Sequence, residues 1–155
     1  MPSPLPHLRR MASHARWADE ALIDRLRQAP EPQALKYMAH VIAAGRVWLT
    51  RLDGRSSAGM EIWPEWTIEE TATHAATVHP DLERYLADVQ EDALDEPIVY
   101  RNQTGKEFST SRIDVLTHLM MHGGYHRGQI ARALRQAGYE PINTDFITWV
   151  RTRGE

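Results

Sequence analysis

Cysteine is absent from the chain. Disulfides, thiolate metal sites and a cysteine nucleophile are therefore excluded. A cytoplasmic location fits this composition without being required by it. No apolar run approaches the roughly 20 residues that a membrane helix needs. The stretch MPSPLPHLRRMASHARW lacks the charged-then-apolar order of a signal peptide, so none is expected. Nor is there a basic stripe: 18 Lys and Arg stand against 21 Asp and Glu, for a net charge of -3 with His neutral. Nucleic acid is left without an electrostatic footprint, and a small helical DNA-binding protein is disfavoured. No internal repeat or low-complexity tract occurs. No nucleophile-elbow motif frames a serine, which leaves an acyl-transfer triad without support.

The chain has 155 residues, 42% of them hydrophobic and 25% charged. That predicts a single soluble domain over 1–155, large enough to bury a core. The unusual feature is the eight histidines.

Pro2, Pro4 and Pro6 predict an extended start. Leu8, Met11, Ala15, Ala18, Leu22 and Leu26 recur at helical steps, which predicts a first helix from Leu8 to Gln28. The segment QAPEPQ breaks it. Leu35, Met38, Ile42, Gly45, Leu49 and Leu52 predict a second helix from Gln33 to Leu52. A long loop, DGRSSAGMEIWPEW, follows. Thr67 with Glu70 reads as a capping box that opens a third helix, to about Glu91, with Pro80 placed to kink or split it. PIVYRNQTGKEFST reads as a hairpin, Ile98–Arg101 against Lys106–Ser109. A fourth helix runs from Ser111 to Gln136, capped by Thr110 or Ser111 and ended by Gly138. A short last helix is expected over Phe146–Arg151, capped by Asn143 or Thr144. The fold class is all-α: a four-helix bundle with one long crossover loop between helices 2 and 3 and a short β-hairpin before helix 4.

HLMMHGGYHRGQIARAL carries His118, His122 and His126 at four-residue spacing. At 100° per residue, such neighbours lie only about 40° apart on a helix. They form a row beside the apolar arc of Val115, Leu116, Leu119, Met120, Ile130, Ala133 and Leu134. An i, i+4 pair of imidazoles can hold one divalent metal ion. The spacing is that of the HExxH metalloproteases, but HGGYH lacks the glutamate that acts there as general base. The protease reading is rejected. A third ligand has to come from another helix. His40 is the candidate taken, although it projects about 40° outside the apolar arc of its helix, near Lys36 and Arg51. Periodicity alone does not select it over His14 or His74.

Two segments, MAHVIAAGRVWLTRLDG and LTHLMMHGGYHRGQIARALRQAG, resemble the signature helices of the DinB/YfiT-like metalloenzyme family. HARWADEAL resembles the tryptophan-bearing first helix of that family, and VYRNQTGKEF its hairpin. The resemblance spans nearly the whole chain. It implies a four-helix bundle and a divalent metal ion on His40, His122 and His126, with His118 at a position often histidine but not usually a ligand. Gly123 and Gly124 depart from the bulkier or polar pair common in the family. Each glycine costs about 1 kcal/mol relative to alanine inside a helix, so close helix approach or space for a substrate is expected in return.

Other residues have two readings each. His118 is either a supporting or a surface residue. Gln129, one turn on, either hydrogen-bonds a ligand ring or bound water, or merely closes the helix surface. Arg127 projects towards the apolar arc, where a buried ion pair is favoured over an anionic substrate. Trp17 and Trp48 read as core; Trp63 and Trp66 cap the bundle or line a pocket. His7, His14, His74 and His79 read as surface.

Three histidines leave a coordination position open, which favours catalysis. The expected cofactor is a divalent metal, zinc or nickel first, with manganese or iron as further choices. The expected protein is a metal-dependent transferase or hydrolase that activates a thiol or water. The resemblance implies thiol-dependent S-transfer in detoxification or stress response, with a small-molecule substrate such as a low-molecular-weight thiol. It also implies a homodimer. The alternative is a non-catalytic stress-induced protein with a structural or sensory metal site.

Overall fold

The computed structural model describes residues 2–153. They are mostly helical: α1 (Leu5–Gln28), α2 (Pro32–Leu52), α3 (Ile68–Asp88), α4 (Arg112–Gln136) and α5 (Phe146–Arg153). Strands β1 (Pro97–Arg101) and β2 (Glu107–Ser111) form an antiparallel hairpin between α3 and α4. Among the described residues no helix is long and apolar enough to cross a membrane.

Local chemistry explains the boundaries. α1 starts three residues earlier than its periodicity predicts, because Pro6 lies in the first turn, where a missing N–H costs nothing. α2 begins at Pro32 with the Glu31 carboxylate accepting from the Ala34 amide at 2.6 Å. The Thr67–Glu70 capping box opens α3, with hydrogen bonds of 3.1 and 2.8 Å. Pro80 does not split α3, which runs on to Asp88. The carbonyl that Pro80 deprives of a partner belongs to Ala76, which is exposed. Ser111 caps α4, accepting from the Asp114 amide.

The hairpin register pairs Ile98 with Thr110, Val99 with Ser109 and Tyr100 with Phe108. The returning strand lies further along the chain than the sequence pattern suggests. Asn102 causes the difference: its Oδ1 accepts from the Thr104 and Lys106 amides, which lengthens the turn.

One core joins the four long helices, with Leu22, Met38, Ile42, Leu86, Leu116, Ile130 and Leu134 almost wholly inaccessible. Each such side chain contributes about 1.5–3 kcal/mol on burial. α4 packs chiefly on α2, and α1 chiefly on α3, while α2 also lies against α3. α2 is consequently buried on nearly every side, without a break from Met38 to Gly45. A projection of α2 alone puts His40 outside the apolar arc. The fold buries it all the same, because α4 and the 53–67 loop cover that side.

Candidate metal centre

α4 carries His122 and His126 one turn apart, and α2 packs against it so that His40 meets them. His122 Nε2 lies 3.1 Å from His40 Nε2 and 3.1 Å from His126 Nε2. One ligand atom from each of the three falls within 4.8 Å of the others. Tetrahedral zinc–imidazole geometry, at about 2.0–2.1 Å per bond, separates its nitrogens by about 3.3 Å. The observed cluster therefore has the right dimensions for one small cation.

The donor set has the right chemistry as well. His40 donates its Nδ1 proton to the Ile62 carbonyl. His126 donates its Nδ1 proton to Gln129 Oε1 at 2.6 Å. Each neutral ring then presents a bare Nε2 lone pair to the centre. His122 brings at most one Nε2 proton to satisfy both. One lone pair is left over, and a cation is the natural partner for it. Burial pulls the His40 and His122 pKa values down, and neighbouring imidazoles add to the effect; His122 reaches about 4. Neutral imidazole, the ligating form, is thus favoured.

Aromatic groups wall one side. Trp63 lies flat on the His40 ring, centroids 3.7 Å apart and planes 6° from parallel. Tyr37 stacks on His126 at 5.9 Å. Trp63 comes from the long loop after α2, and nothing in its spacing predicted this contact. Trp66 instead stacks on His74 at 3.8 Å. His118 is exposed and outside the cluster; its ring meets Trp48 edge-on at 5.3 Å and lies 5.6 Å from His122.

Arg127 leaves the site and turns into the core. Its Nη1 donates to Asp19 Oδ1 at 2.9 Å, both residues being buried. His79 Nε2 approaches the other carboxylate oxygen at 3.0 Å, yet neither ring nitrogen makes a well-directed hydrogen bond. Burial alone would raise the Asp19 carboxyl, but the Arg127 charge and the His79 contact outweigh it, and the carboxyl lies below its usual range. The surface reading of His79 is therefore corrected, and so is that of His14. His14 is buried under Phe146 and Trp149 of α5, and its Nε2 donates to the Thr144 carbonyl at 2.7 Å. His7 and His74 are exposed as expected. Trp17 is only half-buried and stays outside the core cluster, whereas Trp48 packs against it. Asp19 went unnoticed in the sequence although its position was informative: it continues the Ala12, Ala15, Leu22, Leu26 stripe of α1.

Gly123 lies inside this arrangement. A Cβ there would come 2.9 Å from Arg127 Nη1, whereas one at Gly124 would meet nothing. The first glycine makes room for the guanidinium on its way to Asp19; the second borders open space.

The family model of the DinB family matches residues 15–153, which takes in all four long helices but the first turns of α1. The chain belongs to the DinB family. It is similar to Protein DinB of Bacillus subtilis (strain 168), 27% identical over 147 residues, covering 84% of this chain and 86% of that protein. The three clustered imidazoles of this DinB family chain all fall within the matched segment.

Proposed function

We propose that this DinB family protein is a four-helix bundle, with residues 53–67 as its crossover, that holds one divalent metal ion on His40, His122 and His126 and uses it in catalysis. The observation that carries this reading is the convergence of three Nε2 atoms, two of them stripped of protons by the Ile62 carbonyl and Gln129. Imidazole ligands suit zinc or nickel best. Structural zinc sites close with four protein ligands, whereas three leave a position for a reactant. When bound, the ion would supply Lewis acidity, lowering the pKa of a thiol or water at that position.

The chain's own residues do the rest. Ile62 and Gln129 fix the ring tautomers. Trp63 and Tyr37 hold two of the rings in place and keep water from one side. Among the described residues the cluster consists of three histidines and includes no carboxylate. With an open position at the ion, we read the protein as a transferase or hydrolase working on a small molecule or low-molecular-weight thiol, in the detoxification or stress setting that the family resemblance implies. The test is metal content of untagged protein by mass spectrometry. About one divalent ion per chain is expected, lost in both His122→Ala and His126→Ala. A loaded protein that then accelerates addition of a small thiol to an electrophile supports the catalytic half. No metal after reloading with zinc, nickel and manganese removes the reading altogether.

A further inference from the structure

The chain buries two arginines, and they are treated differently. Arg127 has Asp19. Arg51, only 5% exposed in the last turn of α2, forms no ion pair among the described residues. Its partners are neutral: Nε donates to Ser57 Oγ at 3.0 Å, and Nη2 to the Arg101 carbonyl at 3.2 Å and Gln103 Oε1 at 3.3 Å. Trp48 and Tyr100 flank the guanidinium at 4.6 and 5.0 Å. Aromatic faces soften the loss of hydration but do not neutralise the charge. A buried cation without a counter-ion is rare, because desolvation is costly. Burial accordingly pulls the Arg51 guanidinium below its usual value.

Arg51 also lines a groove of about 560 Å³ between the loop after α2 and the β-hairpin. That is the size of a small-molecule site, about 300–1,000 Å³. Arg55, Arg101, Ser57 and Gln103 share the lining, and Glu107 is its single carboxylate. Arg55 is tied to Asp53 and Arg101 to Glu107, so the surplus charge in the groove is that of Arg51. The three hydrogen bonds of Arg51 use Nε and Nη2, while Nη1 makes none with the described chain. A guanidinium with one nitrogen to spare matches one oxygen edge of a phosphate or carboxylate.

We propose that this groove is a binding site for a small anionic molecule, whose phosphoryl, sulfate or carboxylate group completes the ion pair that Arg51 lacks. The site is separate from the histidine cluster: Arg51 lies eleven residues, about 16 Å of helix, beyond His40. The Trp48 side chain, flanked by His118, stands between the two.

The test is a titration of the whole protein with inorganic phosphate, sulfate and acetate in turn, at constant ionic strength, followed by nitrogen–proton NMR. Saturable shifts are expected at the Arg51 Nε–H and at the Ser57–Gly59 amides. Phosphate or sulfate acting alone assigns a tetrahedral group; acetate acting alone assigns a carboxylate. Gln103→Glu supplies an internal carboxylate against Arg51, keeps the buried cation satisfied, and should weaken the anion at least about tenfold with the fold intact. His122→Ala should leave the shifts in place. The proposal is overturned if no anion gives saturable shifts, if Gln103→Glu binds as the wild type does, or if the shifts vanish in His122→Ala.

Discussion

An alanine at position 123 would push its Cβ to 2.9 Å from Arg127 Nη1, while one at 124 would touch nothing. Helix propensity favours alanine at both sites by about 1 kcal/mol. At 124 nothing opposes that gain, so Gly124→Ala should raise stability by about 0.5–1 kcal/mol. At 123 the displaced guanidinium leaves the buried Asp19 carboxylate with only His79 beside it. Gly123→Ala should therefore lose about 1–3 kcal/mol net. Urea midpoints of the two variants decide it; equal shifts would mean that Arg127 adjusts freely. His14 gives a pH dependence. Burial lowers its pKa from 6.5, against the opposing pull of the Thr144 carbonyl. The folded chain keeps the ring neutral where the unfolded chain takes up a proton. Its stabilisation is complete above about pH 6.5 and drains away as the pH falls towards the folded value. His14→Gln can still donate to Thr144 but does not titrate. The variant should lose less stability than wild type between about pH 6.5 and 5, measured by denaturant unfolding. Parallel curves would show that His14 titrates as it does in the unfolded chain.

At the scale of elements, the segment between α2 and α3 does more than connect. It brings the Ile62 carbonyl to His40 Nδ1 and lays Trp63 over the ring. Groups that orient a ligand from behind typically change metal affinity by 10–100-fold when removed, roughly. Trp63→Ala should accordingly weaken zinc binding about tenfold in calorimetric titration, with helical circular dichroism unchanged. Unaltered affinity would reduce Trp63 to a cover. The helices themselves follow from their own residues: the Thr67–Glu70 box, Ser111 and Glu31 each act within one turn. The hairpin was legible as a hairpin but not in its register, because the Asn102 side chain sets the turn length through bonds that alternation does not encode.

The whole molecule should not depend on the metal for its fold. Its core draws on apolar side chains from all four long helices and counts none of the three histidines among its members. Chelation is expected to leave the helical spectrum intact. Melting should drop by only a few degrees, since a ligand at about 100 times its Kd adds about 2.7 kcal/mol. Collapse of the spectrum on chelation would instead favour a structural metal, because binding energy would then be folding energy.

The sequence by itself determined the four long helices, the caps at Thr67 and Ser111 and the row of His122 and His126, because these depend on spacing along one helix. The DinB resemblance added His40, which periodicity had placed outside the apolar arc. Tertiary structure decided the rest. A helix projection knows one neighbour at most, whereas α2 has cover on nearly every side; that is why His40 and Arg51 are buried against their apparent polarity. Asp19 and Arg127 are 108 positions apart, His14 and Thr144 are 130, and their partnership exists only once α1 has packed beside α4 and its trailing segment. Charge is the physical reason. Burying a charged or polar group is costly unless another element brings it a partner, and the identity of that partner is a property of packing.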